Sequence, residues 1–290
     1  MKRTLSLTAA VLMTAGLLLA QAAQQAAPQQ QPGQPAAKKQ PAPKTREEYD
    51  AYQKFWTATD PDEKVKQAEE FLQKFPDSEL KIFAYRKEME AYQQKNDFEK
   101  MREFGEKVLE AEPNDAISLI LLCTAIPERT KDTDLDREQK LNTGEGFCKR
   151  ALEAVDKLEK PSPQVTDQQW EVVRNDARSN ALGGLGLVNL QRKNYPGAEE
   201  SFRKATQLQS QPDPILWWRL GLSLEFGKKY EDALTALEKS VSLGGVKMGG
   251  RDLATEERDR VKKFLDQRKA AGTPPVPQSG TQTPPSKPPR

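Results

Sequence analysis

The sequence contains no histidine. Histidine is the side chain that most readily serves as a general base near neutral pH, and it is the commonest metal ligand. Its absence excludes a Ser-His-Asp triad, a Cys-His pair and any zinc site built on imidazole. Carboxylates are plentiful, but they are spread over predicted solvated faces, and no feature of the sequence supports a glycosidase-like pair. We therefore expect a protein that is not an enzyme and binds no metal.

Nucleotide-binding motifs and basic tracts are also missing. The glycine-rich run 244–250 lacks the Gly-Lys-Ser/Thr ending of a phosphate-binding loop and follows no strand pattern. The 45 Lys and Arg residues nearly balance the 43 Asp and Glu residues, and no basic stripe of the kind carried by nucleic-acid binders is present. We expect no cofactor and no nucleic-acid partner.

Long apolar runs are confined to the N-terminus. Lys2 and Arg3 precede an almost uncharged segment, residues 5–20, and residues 20–22 have the small-x-small pattern that signal peptidases cut. This layout predicts a secretory signal peptide over residues 1–22 and an exported protein, periplasmic or secreted. The alternative is an uncleaved membrane anchor, because the apolar run is only slightly shorter than a membrane span. No cysteine lies near the cut, so no lipoprotein anchor is expected, nor stable membrane insertion after cleavage.

Two segments have too few apolar side chains to fold. Residues 23–44 are almost entirely Ala, Gln, Pro and Lys, and residues 272–290 hold seven prolines with Ser, Thr and Gln. Neither segment offsets the entropy of ordering, so both are predicted to be disordered. The C-terminal tail is either a polyproline ligand for a partner domain or a solvated spacer.

The remaining residues show helical periodicity. Apolar residues recur at three- and four-residue steps, as in Phe71, Leu72 and Phe75, and long alternating β-branched runs are absent. Helix breaks recur along the chain at Asp60-Pro61, Phe75-Pro76, Asn96-Asp97, Pro113-Asn114, Asn194-Tyr195 and Pro212-Asp213. Breaks at such regular intervals predict stacked helical hairpins.

An internal repeat supports this pattern between residues 180 and 245. Seven positions recur after 35 residues, where Leu182, Leu185, Gly186, Tyr195, Ala198, Phe202 and Ala205 align with Trp217, Leu220, Gly221, Tyr230, Ala233, Leu237 and Ser240. The second copy reads Trp-x2-Leu-Gly-x2-Leu and then Ala-x3-Leu, which resembles the tetratricopeptide (TPR) repeat family, and its bacterial envelope type in particular. The resemblance implies an all-α fold, a right-handed superhelical solenoid of antiparallel helical hairpins.

Weaker copies extend the resemblance toward the N-terminus. Tyr85, Met89 and Tyr92 fit the template, with Glu88 a polar departure. The predicted repeat domain covers residues 45–245 in about five hairpins, with an insertion at 127–136. The segment 166–180 is expected to run into the next repeat helix or to stack on it. Residues 246–271 are predicted to form a C-terminal capping helix, which a solenoid needs to cover its last apolar face.

The only two cysteines are Cys123 and Cys148. In TPR-like repeats these two positions come close together, so the resemblance allows a disulfide in an oxidising compartment. The alternative is a pair of buried thiols that act as small core residues.

The family resemblance also implies which residues line the concave, partner-binding face. They are Arg86, Glu90, Gln93, Ile120, Thr124, Asn180, Gly183, Leu187, Trp218, Leu222 and Glu225. Trp218 stands out because Trp217 already fills the packing position, and tryptophan is enriched at binding hot spots. The alternative is that Trp218 packs against the adjacent helix. The Lys, Asn and Arg arrangement of a carboxylate clamp is not reproduced, since Asn180 stands almost alone.

Two classes of function follow. The first is a non-enzymatic protein-protein interaction scaffold in the bacterial cell envelope, with a protein or peptide partner. The second is an accessory or ligand-binding subunit of an envelope enzyme system concerned with polysaccharide or cell wall. A deep apolar pocket favours the second class and a shallow open groove favours the first.

Overall fold

A computed structural model describes residues 41–272 of the chain. The predicted signal peptide (1–22) lies outside the described residues. Residues 23–40 of the predicted disordered segment 23–44 also lie outside the described residues, as do residues 273–290 of the predicted disordered tail 272–290. These three predictions therefore stay predictions.

The described residues form eleven α-helices and one short β-ribbon. The helices are α1 (Arg46–Thr57), α2 (Pro61–Lys74), α3 (Lys81–Gln94), α4 (Phe98–Ala111), α5 (Ala116–Arg129), α6 (Arg137–Asp156), α7 (Asp167–Gln191), α8 (Tyr195–Leu208), α9 (Pro214–Phe226), α10 (Tyr230–Ser242) and α11 (Leu253–Ala270). Strands β1 (Lys247–Met248) and β2 (Arg251–Asp252) pair antiparallel just before α11.

Consecutive helices pair into hairpins, and α11 packs on the last pair. The five hairpins are α1–α2, α3–α4, α5–α6, α7–α8 and α9–α10. We call the first helix of each hairpin its A helix and the second its B helix. The prediction of an all-α fold built from helical hairpins is confirmed.

Short polar side chains begin many of these helices. Asp97, Asp115 and Asp252 each accept a hydrogen bond from the backbone N–H three residues further on. Thr166 forms a capping box with Gln169 at the start of α7. Each cap satisfies backbone N–H groups that the first helical turn leaves without a partner.

Three hairpins turn in the same way. Asn96, Lys193 and Lys228 have φ angles of 60°, 61° and 62°, and each lies two residues before a B helix that begins with an aromatic residue. A left-handed residue at a helix end lets the chain reverse within three residues. This shared turn is a structural repeat that side-chain patterns alone do not reveal.

Glycines set the distance between A and B helices in the last two hairpins. A Cβ added to Gly186 would lie 2.7 Å from Cε1 of Phe202, and one added to Gly221 would lie 2.6 Å from Cγ of Leu237. Both contacts join residues 16 apart, and the two pairs are offset by 35 residues. The sequence repeat is therefore also a repeat of packing contacts, because only glycine lets the bulky B-helix side chain come so close.

The buried side chains form three cores along the stack. The first surrounds Phe55 and Phe71 in the first hairpin and the start of α3. The second lies among α3 to α7, with Leu119 and Leu122 fully buried. The third joins α7 to α11 and includes Val261 of the last helix. A chain of linked cores of this kind is expected when each hairpin contacts mainly its neighbours.

The structure corrects two predicted boundaries and decides between the two alternatives for the segment before residue 180. Helix α5 continues through Pro127 to Arg129, so the insertion begins at Thr130 rather than at residue 127. Residues 167–191 form one continuous helix of 25 residues, α7, so the segment before residue 180 runs into the repeat helix. The capping element begins as the β-ribbon and becomes helical only at Leu253.

Candidate functional site

The predicted partner-binding residues all lie on the A helices α3, α5, α7 and α9. Those that are at least partly exposed are Arg86, Glu90, Gln93, Thr124, Asn180, Trp218 and Leu222. The others, Ile120, Gly183, Leu187 and Glu225, are buried. For these four residues the prediction of an open, partner-facing position is corrected.

Packing explains why these four residues are inaccessible. Ile120 belongs to the second core and Leu187 to the third. Gly183 lies against α9, because an added Cβ would be only 2.9 Å from Cδ2 of Leu216. Glu225 is paired with Arg260 of α11 at 2.7 Å. The A helices thus pack on one another more closely than the family pattern implied. The capping helix α11 also covers more of α9 than expected.

Glu225 shows how the cap closes the end of the stack. Burial raises the pKa of its carboxyl above the ordinary value, although the neighbouring Arg260 guanidinium acts in the opposite direction. A buried carboxylate of this kind needs its cationic partner. The pair therefore fixes α11 on α9, and it is a structural contact rather than a partner-binding one.

The charged residues predicted on α3 also hold the helices together. Arg86 is paired with Asp115 at 2.7 Å, at the start of the next A helix. Glu90 is paired with Lys64 of α2 at 2.9 Å and with Lys87 at 3.0 Å. Burial alone would raise the pKa of Glu90, but the two ammonium groups lower it below its usual value. These side chains are already occupied, and a partner would have to compete with intramolecular ion pairs.

Trp218 and Leu222 offer the apolar part of the predicted face. Both are partly exposed on α9, and Trp218 also packs against the third core. The indole Nε1 atoms of Trp217 and Trp218 are buried and have no hydrogen-bond partner within residues 41–272. Trp218 therefore packs against its neighbours, as one alternative predicted, and is also partly exposed. Part of its ring supports the core, and the rest presents an apolar surface without an accessible donor.

A long-range ion pair borders this surface. Arg219 of α9 binds Glu128 at the C-terminal end of α5, across the A helix α7 that lies between them. Asn180 of α7 makes no side-chain hydrogen bond within the described part of the chain. The accessible face at this end of the stack thus consists of an apolar patch, a free amide and a charged border.

A second aromatic surface, which the sequence interpretation missed, lies on the first two A helices. Tyr52 and Trp56 of α1 stack with centroids 5.5 Å apart, and Phe83 of α3 stands perpendicular to Trp56 at 6.0 Å. All three rings are partly exposed. We call this group the aromatic corner. Its sequence signal was the i, i+4 spacing of Tyr52 and Trp56 just before the break at residues 60–61.

The aromatic corner carries an accessible indole donor that has no acceptor among the described residues. Trp170 donates its indole N–H to the carbonyl oxygen of Leu158, and the Nε1 atoms of Trp217 and Trp218 are buried. Among the four tryptophans, Trp56 alone has an indole Nε1 that is neither bonded within residues 41–272 nor buried. The Nζ atom of Lys87 lies 4.6 Å from the centroid of the Trp56 ring, which adds a cation to the rim.

One buried ionisable group stands apart from these surfaces. Glu88 of α3 is fully buried, and neither carboxylate oxygen has a hydrogen-bond partner within the described residues. Burial, with a smaller contribution from Glu69, raises the pKa of Glu88 to about 8. An unpaired buried carboxylate is costly, so this side chain is protonated at neutral pH.

The two cysteines are joined in this structure. Cys123 of α5 and Cys148 of α6 form a disulfide, with their Cα atoms 4.7 Å apart. Both residues are fully buried. The bond ties the two helices of the hairpin that carries the insertion.

Neither a metal cluster nor a membrane span is present in the described part of the chain. Between residues 41 and 272, no three Cys, Asp or Glu side chains come together as a metal site. Over the same range, no helix combines the length and apolarity needed to cross a bilayer.

Comparison with known proteins finds structural likeness but no sequence match. No protein-family model matches the chain, and no curated protein matches it. A solved structure of a thermophilic TPR protein from Thermus thermophilus is similar, with 16% sequence identity and a TM-score of 0.41. The match covers 75% of this chain and 98% of that one.

The contacts within this chain establish the type of repeat. The 35-residue offset, the glycine contacts of Gly186 and Gly221, and the shared left-handed turn residues describe one hairpin unit used repeatedly. The fold is TPR-like.

Proposed function

We propose that this chain is a non-enzymatic scaffold that binds a partner peptide or helix on the A-helix face around Trp218. The proposal rests mainly on the partly exposed apolar surface of Trp218 and Leu222 on α9. Buried aromatic anchors surrounded by polar groups are typical of binding hot spots. TPR-like folds commonly serve as protein-interaction scaffolds, and this surface is where a partner's apolar side chains would be accommodated.

The state of the charged groups supports binding rather than chemistry at this face. Arg86, Glu90 and Arg219 each hold an intramolecular ion pair. A catalytic acid or base needs access to its substrate and a pKa near the working pH. The Arg86 and Arg219 pairs instead link one A helix to another, and the Glu90 pair links α3 to α2. The Arg219 pair borders the apolar patch and helps to hold it in place.

The alternative function, a ligand-binding subunit of an envelope enzyme system, needs an enclosed pocket. A surface hollow of about 560 Å³ lies along α11, lined by Asp259, Lys262, Lys263, Asp266, Gln267 and Ala270. One helix lines this hollow alone, and the hollow is widely open to solvent. Small-molecule sites are usually concave clefts that bury most of the ligand, so the hollow gives this alternative little support.

We further propose that the scaffold works in the bacterial cell envelope. This part of the proposal depends on the basic start and apolar run of residues 1–22, which have the layout of a signal peptide. Determining the N-terminal residue of protein purified from the envelope tests it. A mature chain that begins near residue 23 supports export with cleavage, and an intact Met1 in the cytoplasmic fraction contradicts it.

Site-specific photo-crosslinking tests the binding face. A photo-reactive amino acid at position 222, on the proposed face, should crosslink to a discrete partner in intact cells. The matched control position is Lys204, which is exposed on the B helix α8. Crosslinks at position 222 but not at 204, lost when Trp218→Ala is added, support the proposal. Equal crosslinking at both positions, or no effect of Trp218→Ala in a folded protein, places the partner elsewhere.

A further inference from the structure

We propose that the aromatic corner formed by Tyr52, Trp56 and Phe83 binds the Ala-, Gln- and Pro-containing segment 23–40 of the same chain, with the Pro32–Pro35 step in an extended, polyproline-like conformation. The surface is distinct from the partner face around Trp218, because it lies on α1 and α3 at the opposite end of the stack.

The chemistry of the corner fits a proline-rich ligand. Polyproline segments expose pyrrolidine rings and carbonyl groups but few N–H groups, and they dock on aromatic surfaces. The corner presents ring faces at right angles, with interplanar angles of 90° for Trp56 and Phe83 and 74° for Tyr52 and Phe83. The Trp56 indole N–H, which has no acceptor within residues 41–272, is a donor for a carbonyl oxygen of the ligand, and the Lys87 ammonium, paired with Glu90 at 3.0 Å, lies beside the same ring.

The segment and the corner are close along the chain. Lys44 is held at the entry to α1, since its Nζ donates to the carbonyl oxygen of Asp77 at 3.0 Å and its backbone N–H donates to Glu48. Trp56 lies about 16 Å from this entry at the helical rise of 1.5 Å per residue. Residues 23–40 span about 56 Å as polyproline, so they can fold back over the corner. Tethering supplies a high effective concentration for a weak contact.

The sequence of this segment has the required pattern. It contains Pro28, Pro32 and Pro35, of which the last two form a Pro-x-x-Pro step. The C-terminal tail 272–290 is richer in proline, with seven prolines, but it leaves the fold after α11, five A-helix positions from α1. Packed helices are about 8–10 Å apart, so the distance from the end of α11 to α1 is nearly as long as the whole extended tail. The N-terminal segment is therefore the occupant within one chain.

The indole N–H signals of the full chain test this proposal. Each of the four tryptophans gives one indole cross-peak in a proton-nitrogen correlation spectrum, and Trp56→Phe identifies the peak of Trp56. Replacing Pro28, Pro32 and Pro35 together with Ala leaves the described fold untouched. This triple variant should shift the Trp56 peak and leave those of Trp170, Trp217 and Trp218 in place. The matched control replaces Pro274, Pro275 and Pro277 with Ala and should shift none of the four.

Each other outcome overturns the proposal. An unchanged Trp56 peak in the N-terminal triple variant shows that the segment does not occupy the corner. A shift caused by the C-terminal variant instead assigns the corner to the tail. A Trp56 peak that moves on dilution of the unmodified chain shows that a second copy supplies the ligand. None of these readouts depends on the partner face around Trp218, so failure here leaves the proposed function standing.

Discussion

Gly184 of α7 packs directly on Cys123 of α5, where the disulfide to Cys148 is formed. A Cβ added to Gly184 would lie 2.9 Å from the carbonyl oxygen of Cys123 and 3.0 Å from Sγ of Cys148. Helix α7 therefore meets the α5–α6 hairpin at backbone distance. The glycine permits this approach, and the disulfide fixes the surface that it meets.

Gly184→Ala should destabilise the protein by about 1–3 kcal/mol, the usual cost of overpacking a well-packed core. The neighbouring atoms are backbone and disulfide sulfur, which cannot move aside as a flexible side-chain end can. Urea unfolding followed by circular dichroism measures the change.

Gly146→Ala is the matched control for this substitution. Gly146 is exposed in α6, and an added Cβ there meets nothing within 4 Å. The control should raise stability by about 0.5–1 kcal/mol through better helix propensity. If both variants change the free energy of unfolding in the same direction, close packing at Gly184 does not explain the effect of Gly184→Ala.

Reduction of the Cys123–Cys148 disulfide should lower the free energy of unfolding by about 2–4 kcal/mol. The two residues are separated by 25 positions, and the bond restricts that loop in the unfolded chain. Unfolding curves with and without reductant measure the loss. The same comparison on the Cys123→Ser/Cys148→Ser double variant should show no effect of reductant. Two reactive thiols in the denatured, unreduced protein would rule out the bond.

Glu88 should make stability fall as pH rises. Its pKa is raised to about 8 in the folded chain, against an ordinary value of 4.5. Between these pH values the unfolded chain has lost the proton that the folded chain keeps. The stabilising contribution of the Glu88 carboxyl is therefore fully present below about pH 4.5 and is lost as the pH rises to about 8. The slope for one group is at most about 1.4 kcal/mol per pH unit.

Glu88→Gln should flatten that decline, because an amide does not titrate. Denaturant unfolding at a series of pH values provides the measurement. Glu110→Gln, at an exposed position on α4, is the control and should leave the slope unchanged. An equal slope in the unmodified protein and in Glu88→Gln would show that the buried carboxyl finds a partner or solvent.

Lys228→Gly should stabilise the last hairpin by several tenths of a kcal/mol. Lys228 has a φ of 62°, a conformation that costs a residue with a Cβ about 1–2 kcal/mol and costs glycine little. Part of the gain is lost to the greater freedom of glycine in the unfolded chain. Thermal unfolding measures the difference. Lys204→Gly, inside α8, should lower stability by about 1 kcal/mol, and a loss at both positions would contradict the turn argument.

Local rules predicted most of the fold. The 35-residue offset and the breaks at residues 60–61, 75–76 and 96–97 located the hairpins, because side-chain periodicity and helix-breaking residues act over one or two turns. The same rules failed at Pro127, where α5 continues for two more residues. Packing of α5 in the second core outweighs the hydrogen bond that proline removes.

The candidate site was less predictable. The TPR repeat pattern placed Glu225 and Gly183 on an open face. It carries no information on whether Arg260 of α11 reaches Glu225 or how closely Leu216 approaches Gly183. The predicted concave face began at Arg86 and so left out Tyr52 and Trp56, whose significance depends on Phe83 being brought beside them. Such contacts join residues distant in sequence, so no local pattern encodes them.

The sequence by itself determined the helical class, the hairpin unit and the lack of histidine chemistry, since composition and short-range spacing are sufficient for these. The tertiary structure alone decided which A-helix residues stay accessible and where α7 meets the backbone around Cys123. It also decided that the Trp56 indole N–H is accessible and has no acceptor within residues 41–272, while those of Trp217 and Trp218 are buried. These features depend on interhelical distances, which are set by close packing of the whole stack.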